Sequence, residues 1–211
     1  MTERIIPTET SIEDEVALRT VYPRVSKQIR DKAIDYIDEF AEQFISLSPF
    51  FCIGTGSANS FDVSPRGGKP GFVQVLDRKN MAFADLPGNN RLDTLSNLLL
   101  QPSAGMLFFI PGIDETLRIN GQARISTQKE LLDRFVTENK RPRSAIIITV
   151  VELYLHCSKA LRRSDLWNSE KKIQRSVLPT WGQMLRNQGR TILPAKLIDF
   201  AIGQDAKRNL Y

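Results

Sequence analysis

The sequence predicts a mainly β protein of the α+β class, in which a small barrel of about seven antiparallel strands is accompanied by N-terminal and peripheral helices. Between residues 50 and 155 the apolar residues alternate with polar ones or form short runs, which is typical of strands. Turn residues such as Pro111 and Gly112 separate these runs. Outside this region apolar residues recur at three- and four-residue spacing, which indicates amphipathic helices.

The composition is that of a globular chain with a sizeable core. The 211 residues are 41% hydrophobic and 25% charged, and a chain of this length buries well over half of its unfolded surface without disulfides. Cys52 and Cys157 are too few for a disulfide scaffold. Because no run of about 18 apolar residues exists and the N-terminus is polar and acidic, we expect a cytoplasmic protein without a membrane span.

The net charge of +5 is unevenly distributed along the chain. Residues 1–46 carry six positive and ten negative groups, whereas residues 157–211 carry eleven and four. A basic end admits a nucleic-acid-binding interpretation, but no motif supports it, so no nucleic-acid partner is expected. Opposite charges at the two ends also suit packing between them, within or between chains. We expect a single domain over residues 1–211, with a helical extension over 1–47 and a basic helical and loop segment over 157–211.

The N-terminal extension is predicted to hold two helices. Thr10 or Ser11 can cap the first, whose acidic first turn suits the helix dipole, and Pro23 ends it. The second runs from about Ser26 to Leu47, before Pro49. Its buried stripe is expected to consist of Ile29, Ala33, Ile37, Phe40, Phe44 and Leu47.

The rest of the chain alternates between predicted strands and a few helices. Strands are expected at residues 50–55, 61–64, 71–76, 80–85, 104–110, 116–125 and 145–155. Helices are expected at residues 92–100, 128–138 and about 195–207. Many antiparallel strands with few helices favour a small barrel over a doubly wound sheet.

Several common kinds of catalytic site are not supported by the residues. His156 is the single histidine, and because neighbouring residues of a strand face opposite sides, His156 and Cys157 are poor joint ligands; no metal site is expected. No nucleophile elbow of the form GxSxG is present. The segment Gly54–Ser57 is similar to a phosphate cradle, but no GK[ST] follows, so a strand end and turn is the favoured interpretation.

The loop at residues 87–91 leads directly into a predicted helix. Free backbone N–H groups at the start of this helix, with Arg91 beside them, would form an anion site. Asn89 or Asn90 could cap the helix and add amide donors. The alternative is an ordinary capped helix whose arginine is solvated.

An ordered set of motifs points to one known family. The set comprises SPRGG at residues 64–68, DLPGNNR at 85–91, FFIPG at 108–112, LRINGQARI at 117–125 and YLHCSKA at 154–160, followed by RRSDLW at 162–167. In this order the motifs resemble those of the pyridoxamine 5′-phosphate oxidase-like flavoproteins, and above all a bacterial subgroup of unassigned substrate. The resemblance covers roughly residues 25–190.

The resemblance implies a split β-barrel of about six to seven antiparallel strands that forms a homodimer. It further implies FMN in a groove between the two subunits, with the phosphate held by one subunit and the isoalloxazine ring reached by the other. The implied function is an FMN-dependent oxidoreductase acting on a small organic substrate or a nicotinamide donor. A vitamin B6 substrate is not implied, because the residues around Trp167 do not match those of the pyridoxamine oxidases.

The alternative function is a non-catalytic protein that binds flavin or haem, or that senses redox state. In the haem variant His156 would be an axial ligand. A structural histidine at the end of a strand is the competing interpretation.

Matched motif by motif, the resemblance implies a set of cofactor-binding residues. Ser64 and Arg66 would face the cofactor, and Asn90 and Arg91 match the basic pair that opens the helix. The phosphate would then be bound by the two arginines and backbone N–H groups. The residues expected near the ring are Thr116, Arg118, Lys159, Arg162 or Arg163, and Trp167.

Two of these positions have particular expectations attached. Arg118 would stabilise negative charge on the reduced ring, near N1 and O2. For residues 156–167 the alternative is a basic surface helix with Trp167 packed into the core. The subgroup usually carries an acidic residue where this chain has Gly68.

Overall fold

The computed structural model describes residues 11–57, 60–88, 90–138 and 140–208. The chain divides into two compact units, Met1–Ala33 and Ile34–Tyr211. The first unit holds the short helices α1 (Glu15–Val21) and α2 (Lys27–Arg30). The second holds the sheet and all the other helices.

Helix α1 ends before Pro23, as predicted, but begins later than expected. Its N-cap is Asp14, whose carboxylate accepts a hydrogen bond of 2.7 Å from the N–H of Ala17. Ser11 is therefore not the cap, and Thr10 lies outside the described residues.

The prediction of one continuous helix over residues 26–47 is wrong. Ile34 instead forms an antiparallel bridge with Leu153, with N–H to oxygen bonds of 2.9 and 2.7 Å. Helix α3 (Glu39–Leu47) then starts afresh, because the Asp38 carboxylate accepts from the N–H of Ala41. The restart changes the buried stripe, which here consists of Ile37, Ala41 and Ile45. The predicted stripe members that are exposed are Ile29, Phe40 and Leu47.

Seven antiparallel strands form one curled sheet. They are β1 (Phe50–Ser57), β2 (Ser60–Gly67), β3 (Val73–Val75), β4 (Asn80–Ala84), β5 (Ser103–Phe109), β6 (Thr116–Ser126) and β7 (Ala145–His156). Their order across the sheet is β2-β1-β5-β6-β7-β4-β3. The predicted mainly β, split-barrel fold is confirmed. Residues 54–57 pair with β2 as part of β1, so they are strand and do not form a phosphate cradle.

The remaining helices lie between the strands or after them along the chain. They are α4 (Asp93–Leu100), α5 (Lys129–Asp133), α6 (Lys159–Ser164), α7 (Trp181–Asn187) and α8 (Ala195–Arg208). Helix α5 is shorter than the predicted 128–138. Within the four described ranges, no helix has the length and apolar character needed to cross a membrane.

The barrel interior is built around the fully buried ring of Phe51 on β1. This ring lies 5.6, 5.0 and 4.8 Å from the ring centroids of Phe72, Phe83 and Phe108. Residues directly opposite each other in antiparallel strands share a face of the sheet. The partners of Phe51 in the neighbouring strands therefore also point toward the interior.

Candidate functional site

A groove of about 1240 Å³ opens between β2, the loop that follows β4 and the segment that precedes β7. Four of the residues predicted from the sequence line it: Ser64, Arg66, Asn90 and Arg91. The structure thus brings together the residues expected at the phosphate, although they come from a strand and from a loop more than 20 positions later in the chain.

Strand β2 presents three polar side chains to the groove. Asp62, Ser64 and Arg66 alternate along the strand, so they project from the same face. Arg66 lies opposite Phe51 in the strand register, which places these side chains on the inner side of the sheet. These polar groups therefore lie on the same face of the sheet as the core residues, on the edge strand β2.

A hydrogen-bonded cluster holds these side chains in place. The Ser64 hydroxyl lies 2.7 Å from a carboxylate oxygen of Asp62, and the Thr94 hydroxyl lies 2.9 Å from the same oxygen. Arg66 donates from Nη2 to the Thr94 hydroxyl at 3.2 Å. Because Thr94 is only 2% exposed and belongs to α4, the cluster joins β2 to the start of that helix.

Arg66 has an unsatisfied donor inside the groove. Its Nη1 donates to the carbonyl oxygen of Pro65 at 3.3 Å, but its Nε is buried and has no hydrogen-bond partner in the described structure. A buried donor without an acceptor is costly and uncommon in folded proteins. A ligand oxygen would satisfy it, and an anion would do so most strongly.

The start of α4 forms a second donor group beside Arg66. Its N-cap is Leu92, in the left-handed region at φ 59°, and no side chain caps it. Asn90 is also left-handed, at φ 57°, and does not serve as the predicted cap; Asn89 lies outside the described residues. The first N–H groups of this helix are therefore available to an anion.

Arg91 projects from the same loop toward solvent. Its Nε lies 2.7 Å from a carboxylate oxygen of Asp93, and 74% of its side chain is exposed. This hydrogen bond and the charge of Asp93 raise the pKa of Arg91 above its ordinary value, so the side chain stays charged.

The groove also contains functional candidates that the sequence did not single out. Asp62 shares the period-two face of Ser64 and Arg66, and that spacing is the signal from which it could have been found. The groove is also lined by Lys140, Arg141 and Arg143, a basic cluster just before β7. Counted together, the lining has five basic side chains against three acidic ones, Asp62, Asp85 and Asp93.

Asp85 is an acidic residue in this basic groove. Burial raises the pKa of its half-buried carboxyl group, and the charge of Arg66 opposes that rise. Its backbone N–H donates to the carbonyl oxygen of Ser144 at 2.9 Å, which ties the loop after β4 to the segment before β7.

Replacing Asp85 by asparagine is expected to stabilise the ligand-free protein at neutral pH. Burial raises the pKa of Asp85 in the folded protein, so the folded protein holds the protonated carboxyl more favourably than the unfolded chain does. This contribution to the free energy of unfolding is complete below the ordinary pKa of about 3.9 and is lost as the pH rises through the pKa of the folded protein. Thermal unfolding should show a Tm increase on the order of 1–3 °C at pH 7 and none near pH 3. Equal shifts at both pH values would contradict the burial effect.

Two of the predicted ring contacts lie elsewhere on the sheet. Arg118 is on the outer face, in a register row formed by Pro65, Cys52, Leu107, Arg118 and Tyr154. Its guanidinium lies 5.7 Å from the centre of the Tyr154 ring. Thr116 is 2% exposed, so its side chain offers little surface to a ligand in this chain.

The segment after β7 is anchored to the turn between β5 and β6. Arg162 donates from Nε to Asp114 at 3.3 Å, and the Trp167 indole N–H donates to the carbonyl oxygen of Ile113 at 2.9 Å. Trp167 is half-buried and does not belong to the hydrophobic core, and Lys159 is exposed. A single chain therefore does not bring these residues and Arg66 to one ligand.

His156 and the two cysteines do not form a site. His156 is exposed at the end of β7, where its ring stacks on Tyr154 with centroids 6.1 Å apart. Cys157 is exposed and Cys52 is half-buried, and both are free thiols. Across the described part of the chain, no three His, Cys, Asp or Glu side chains are grouped to hold a metal ion.

Gly68 lies where the core leaves no room for a side chain. A Cβ atom at this position would lie 2.7 Å from both Cβ and Cγ of Phe72. The Phe72 ring stacks on Phe51 in the core and cannot move away freely. The hairpin in this chain therefore has an aromatic ring where a side chain at position 68 would stand.

The sequence matches one protein family over most of this fold. The model of the family described as pyridoxamine 5′-phosphate oxidase matches residues 37–157, which is more than half of the chain. The matched region begins just before α3 and ends just after β7, so it contains the entire sheet and the groove. The chain belongs to the pyridoxamine 5′-phosphate oxidase-like family, a family of flavin-binding split-barrel proteins.

Solved structures of more distant proteins are also similar. HupZ of Group A Streptococcus is 14% identical, with a TM-score of 0.46 over 56% of this chain and 93% of its own. A Lactobacillus delbrueckii protein named as a candidate pyridoxamine 5′-phosphate oxidase is 10% identical, with a TM-score of 0.45 over 57% of this chain and 95% of its own. General stress protein 26 of Bacillus anthracis is 11% identical, with a TM-score of 0.40 over 54% of this chain and 88% of its own. No curated protein matches the sequence.

Proposed function

We propose that the protein is an FMN-dependent oxidoreductase that works as a homodimer on a small organic substrate or a nicotinamide donor. The observation that carries this proposal is the buried, unpaired Nε of Arg66, which faces a groove beside the uncapped start of α4. Family membership supports a flavin as the ligand. Bound FMN would supply the redox chemistry, and the protein would position it and exclude competing reactions.

The phosphate of FMN fits the donors at this end of the groove. Arg66 offers its Nε, Arg91 offers a second guanidinium, and the first turn of α4 offers backbone N–H groups. Two arginines together with helix N–H groups suit a dianion, because arginine binds phosphate oxygens with paired donors. The cluster of Asp62, Ser64 and Thr94 would keep the Arg66 side chain in its binding orientation.

The size of the groove leaves room for a substrate beside the cofactor. Its volume of about 1240 Å³ exceeds the roughly 300–1,000 Å³ of most small-molecule sites. Lys140, Arg141 and Arg143 also line the groove. Their charge favours an electron donor or substrate that carries a negative group.

Exposed apolar residues on the outer face of the sheet support the proposed homodimer. Phe61 and Val63 on β2 are 88% and 72% exposed, and the neighbouring outward positions of β1 include Gly54 and Gly56. An apolar, exposed strand surface of this kind is typical of an interaction site. A second subunit seated there would bring the remaining predicted residues to the groove: Arg118, Lys159, Arg162 and Trp167.

Changing Val63 to glutamate is expected to shift the protein toward the monomer. The substitution would place a charge in the centre of the apolar strand surface, where dimerisation would have to desolvate it. Light scattering over a dilution series should show the dissociation constant of the dimer rising at least about tenfold. Val21→Glu, at a position that is 60% exposed on α1, is the matched control and should leave the dimer intact.

The direct test of the proposed function is the identity of the bound chromophore. The purified protein should be yellow, with one FMN per subunit released on denaturation. A reduced nicotinamide nucleotide should bleach the visible absorbance under anaerobic conditions, because its hydride would reduce the bound flavin. A red protein with a Soret band that is lost in His156→Ala would establish the haem alternative. A colourless protein without flavin affinity would overturn the proposal.

A further inference from the structure

The C-terminal segment, residues 169–208, is folded but has almost no core of its own. It contains two short 3₁₀ turns, Ser169–Lys171 and Arg175–Val177, followed by α7 and α8. Gly182 is its one buried residue within the described range. Secondary structure without burial is weakly stable in water, because helices depend mainly on tertiary packing.

The segment is nevertheless a well-defined helical hairpin. The N–H of Gly182 donates to the carboxylate of Asp199 at 2.8 Å, and a Cβ at position 182 would overlap the carbonyl oxygen of Ala195. Thr180 and Gln183 form a reciprocal capping box at the start of α7. The two helices are thus held together by a hydrogen bond to the Asp199 carboxylate and by a close backbone approach, while most of their large apolar side chains remain exposed.

Those apolar side chains instead point into solvent. Six of the large apolar side chains in this segment are between 53% and 96% exposed: Ile173, Val177, Trp181, Ile192, Leu197 and Phe200. Large exposed apolar groups at this density mark a surface that binds another molecule. The segment is also basic, since residues 169–208 carry eight positive and three negative groups.

Helix α8 presents a defined part of this surface. Leu197 and Phe200 are three positions apart and share its exposed face. Lys196 and Lys207, four positions before and seven after Phe200, flank the same face. The outer face of α8 is therefore apolar along its middle and positively charged at both ends.

Helix α3 presents the complementary surface. Its inner side is buried in the core through Ala41 and Ile45, while Phe40 and Leu47 on its outer side are 67% and 52% exposed. Glu39 is exposed one position before Phe40, and Glu42 is exposed on the other side of the outward surface, because residues two apart on a helix do not share a face. Residues 35–42 carry four acidic groups and no basic ones. This face is apolar with negative charge, the counterpart of the α8 face.

We propose that the outer face of α8 docks on the outer face of α3 of a second copy of this chain. Apolar contact between Phe200 or Leu197 and Phe40 or Leu47 would bury side chains that are exposed in the single chain. The lysines of α8 would lie close to Glu39, and Glu42, further around α3, would add to the negative charge that they face. In a two-fold dimer each copy supplies both faces, so two equivalent docked pairs form and no face is left over. The inference rests on the homodimer of the proposed function, but not on its flavin.

Cysteine cross-linking tests the contact and identifies which chain supplies it. In a Cys52→Ala, Cys157→Ser background, one full-length chain carries Gln43→Cys on α3 and a second, enlarged by a tag, carries Gln204→Cys on α8. After co-expression and oxidation, the disulfide between the two differently sized chains should form in at least half of the mixed dimers. Lys129→Cys on α5, paired with the same Gln204→Cys chain, is the control and should not cross-link.

The absence of this cross-link would overturn the proposal. It would also be overturned if a chain carrying both cysteines formed the disulfide only within itself, since α8 would then cover its own α3.

Charge reversal provides an independent readout. Glu39→Lys with Glu42→Lys, or Lys196→Glu with Lys207→Glu, should each weaken the dimer about tenfold in sedimentation equilibrium. Combining all four changes should restore the dissociation constant to within about threefold. A wild-type dimer that neither pair weakens would overturn the docking but not the homodimer. A monomeric wild-type protein would overturn both.

Discussion

Replacing Arg66 by alanine is expected to weaken FMN binding about a hundredfold while changing riboflavin binding much less. Each charged hydrogen bond lost to the phosphate should cost about 1.5–3 kcal/mol, which is roughly ten- to a hundredfold in affinity. Arg66 contributes a buried Nε that has no other acceptor, whereas Arg91 is exposed. The Arg66→Ala change should therefore reduce FMN affinity more than the Arg91→Ala change does. Arg91→Ala should also reduce FMN affinity selectively, by about tenfold.

Titration of flavin-free protein, followed by quenching of flavin fluorescence, would measure both affinities. Arg66→Lys keeps the charge but loses the paired donors, so it should recover only part of the affinity. Arg24→Ala, at an exposed position before α2, is the control and should bind like the wild type. Equal losses for FMN and riboflavin would show that the arginines do not hold the phosphate.

Replacing Gly121 by alanine is expected to cause the largest loss of stability in the sheet. Gly121 lies at the irregularity in the pairing of β6 with β7. A Cβ there would be 2.5 Å from the backbone oxygen of Thr149 and 2.8 Å from Cγ2 of Ile148. Because the Thr149 carbonyl group cannot move away without breaking hydrogen bonds between β6 and β7, we expect a cost of about 3 kcal/mol or more.

Thermal unfolding provides the measurement, and for a chain of this size the Tm should fall by about 6–12 °C. Gly67→Ala is the matched control on edge strand β2, where the nearest atom to a Cβ, the Pro49 carbonyl oxygen, is 3.5 Å away. The control should change the Tm by no more than about 2 °C. Similar Tm values for the two variants would contradict the close-approach argument.

The strands could be predicted because their signal is local. Alternation of buried and exposed positions along β1 and β5 appears directly in the order of the residues, and all seven predicted strands exist. The prediction of a helix over residues 26–47 failed because the structure of this segment depends on a distant part of the chain. Its apolar spacing is helical, but Ile34 pairs with Leu153, a partner more than a hundred positions away that periodicity cannot reveal.

The candidate site divides in the same way. Ser64, Arg66, Asn90 and Arg91 could be identified because they lie in short motifs that resemble those of a family, and they do line one groove. Asp62, Thr94 and the basic wall at residues 140–143 were missed as site residues. Their role depends on which elements meet in space, and hydrogen bonds such as those between Thr94 and Asp62 join positions about 30 residues apart.

The sequence by itself determined the class of fold, the order of the strands along the chain and the family, because periodicity, turn residues and motifs are properties of neighbouring positions. Only the tertiary structure decided that Arg66 keeps a buried donor without a partner and that Leu92 leaves α4 uncapped. It also decided that Arg118 faces away from Arg66. The physical reason is that these features depend on contacts between segments that are distant in the sequence. Folding of the sheet brings those segments together, and only then are side chains buried, oriented or left without a hydrogen-bond partner.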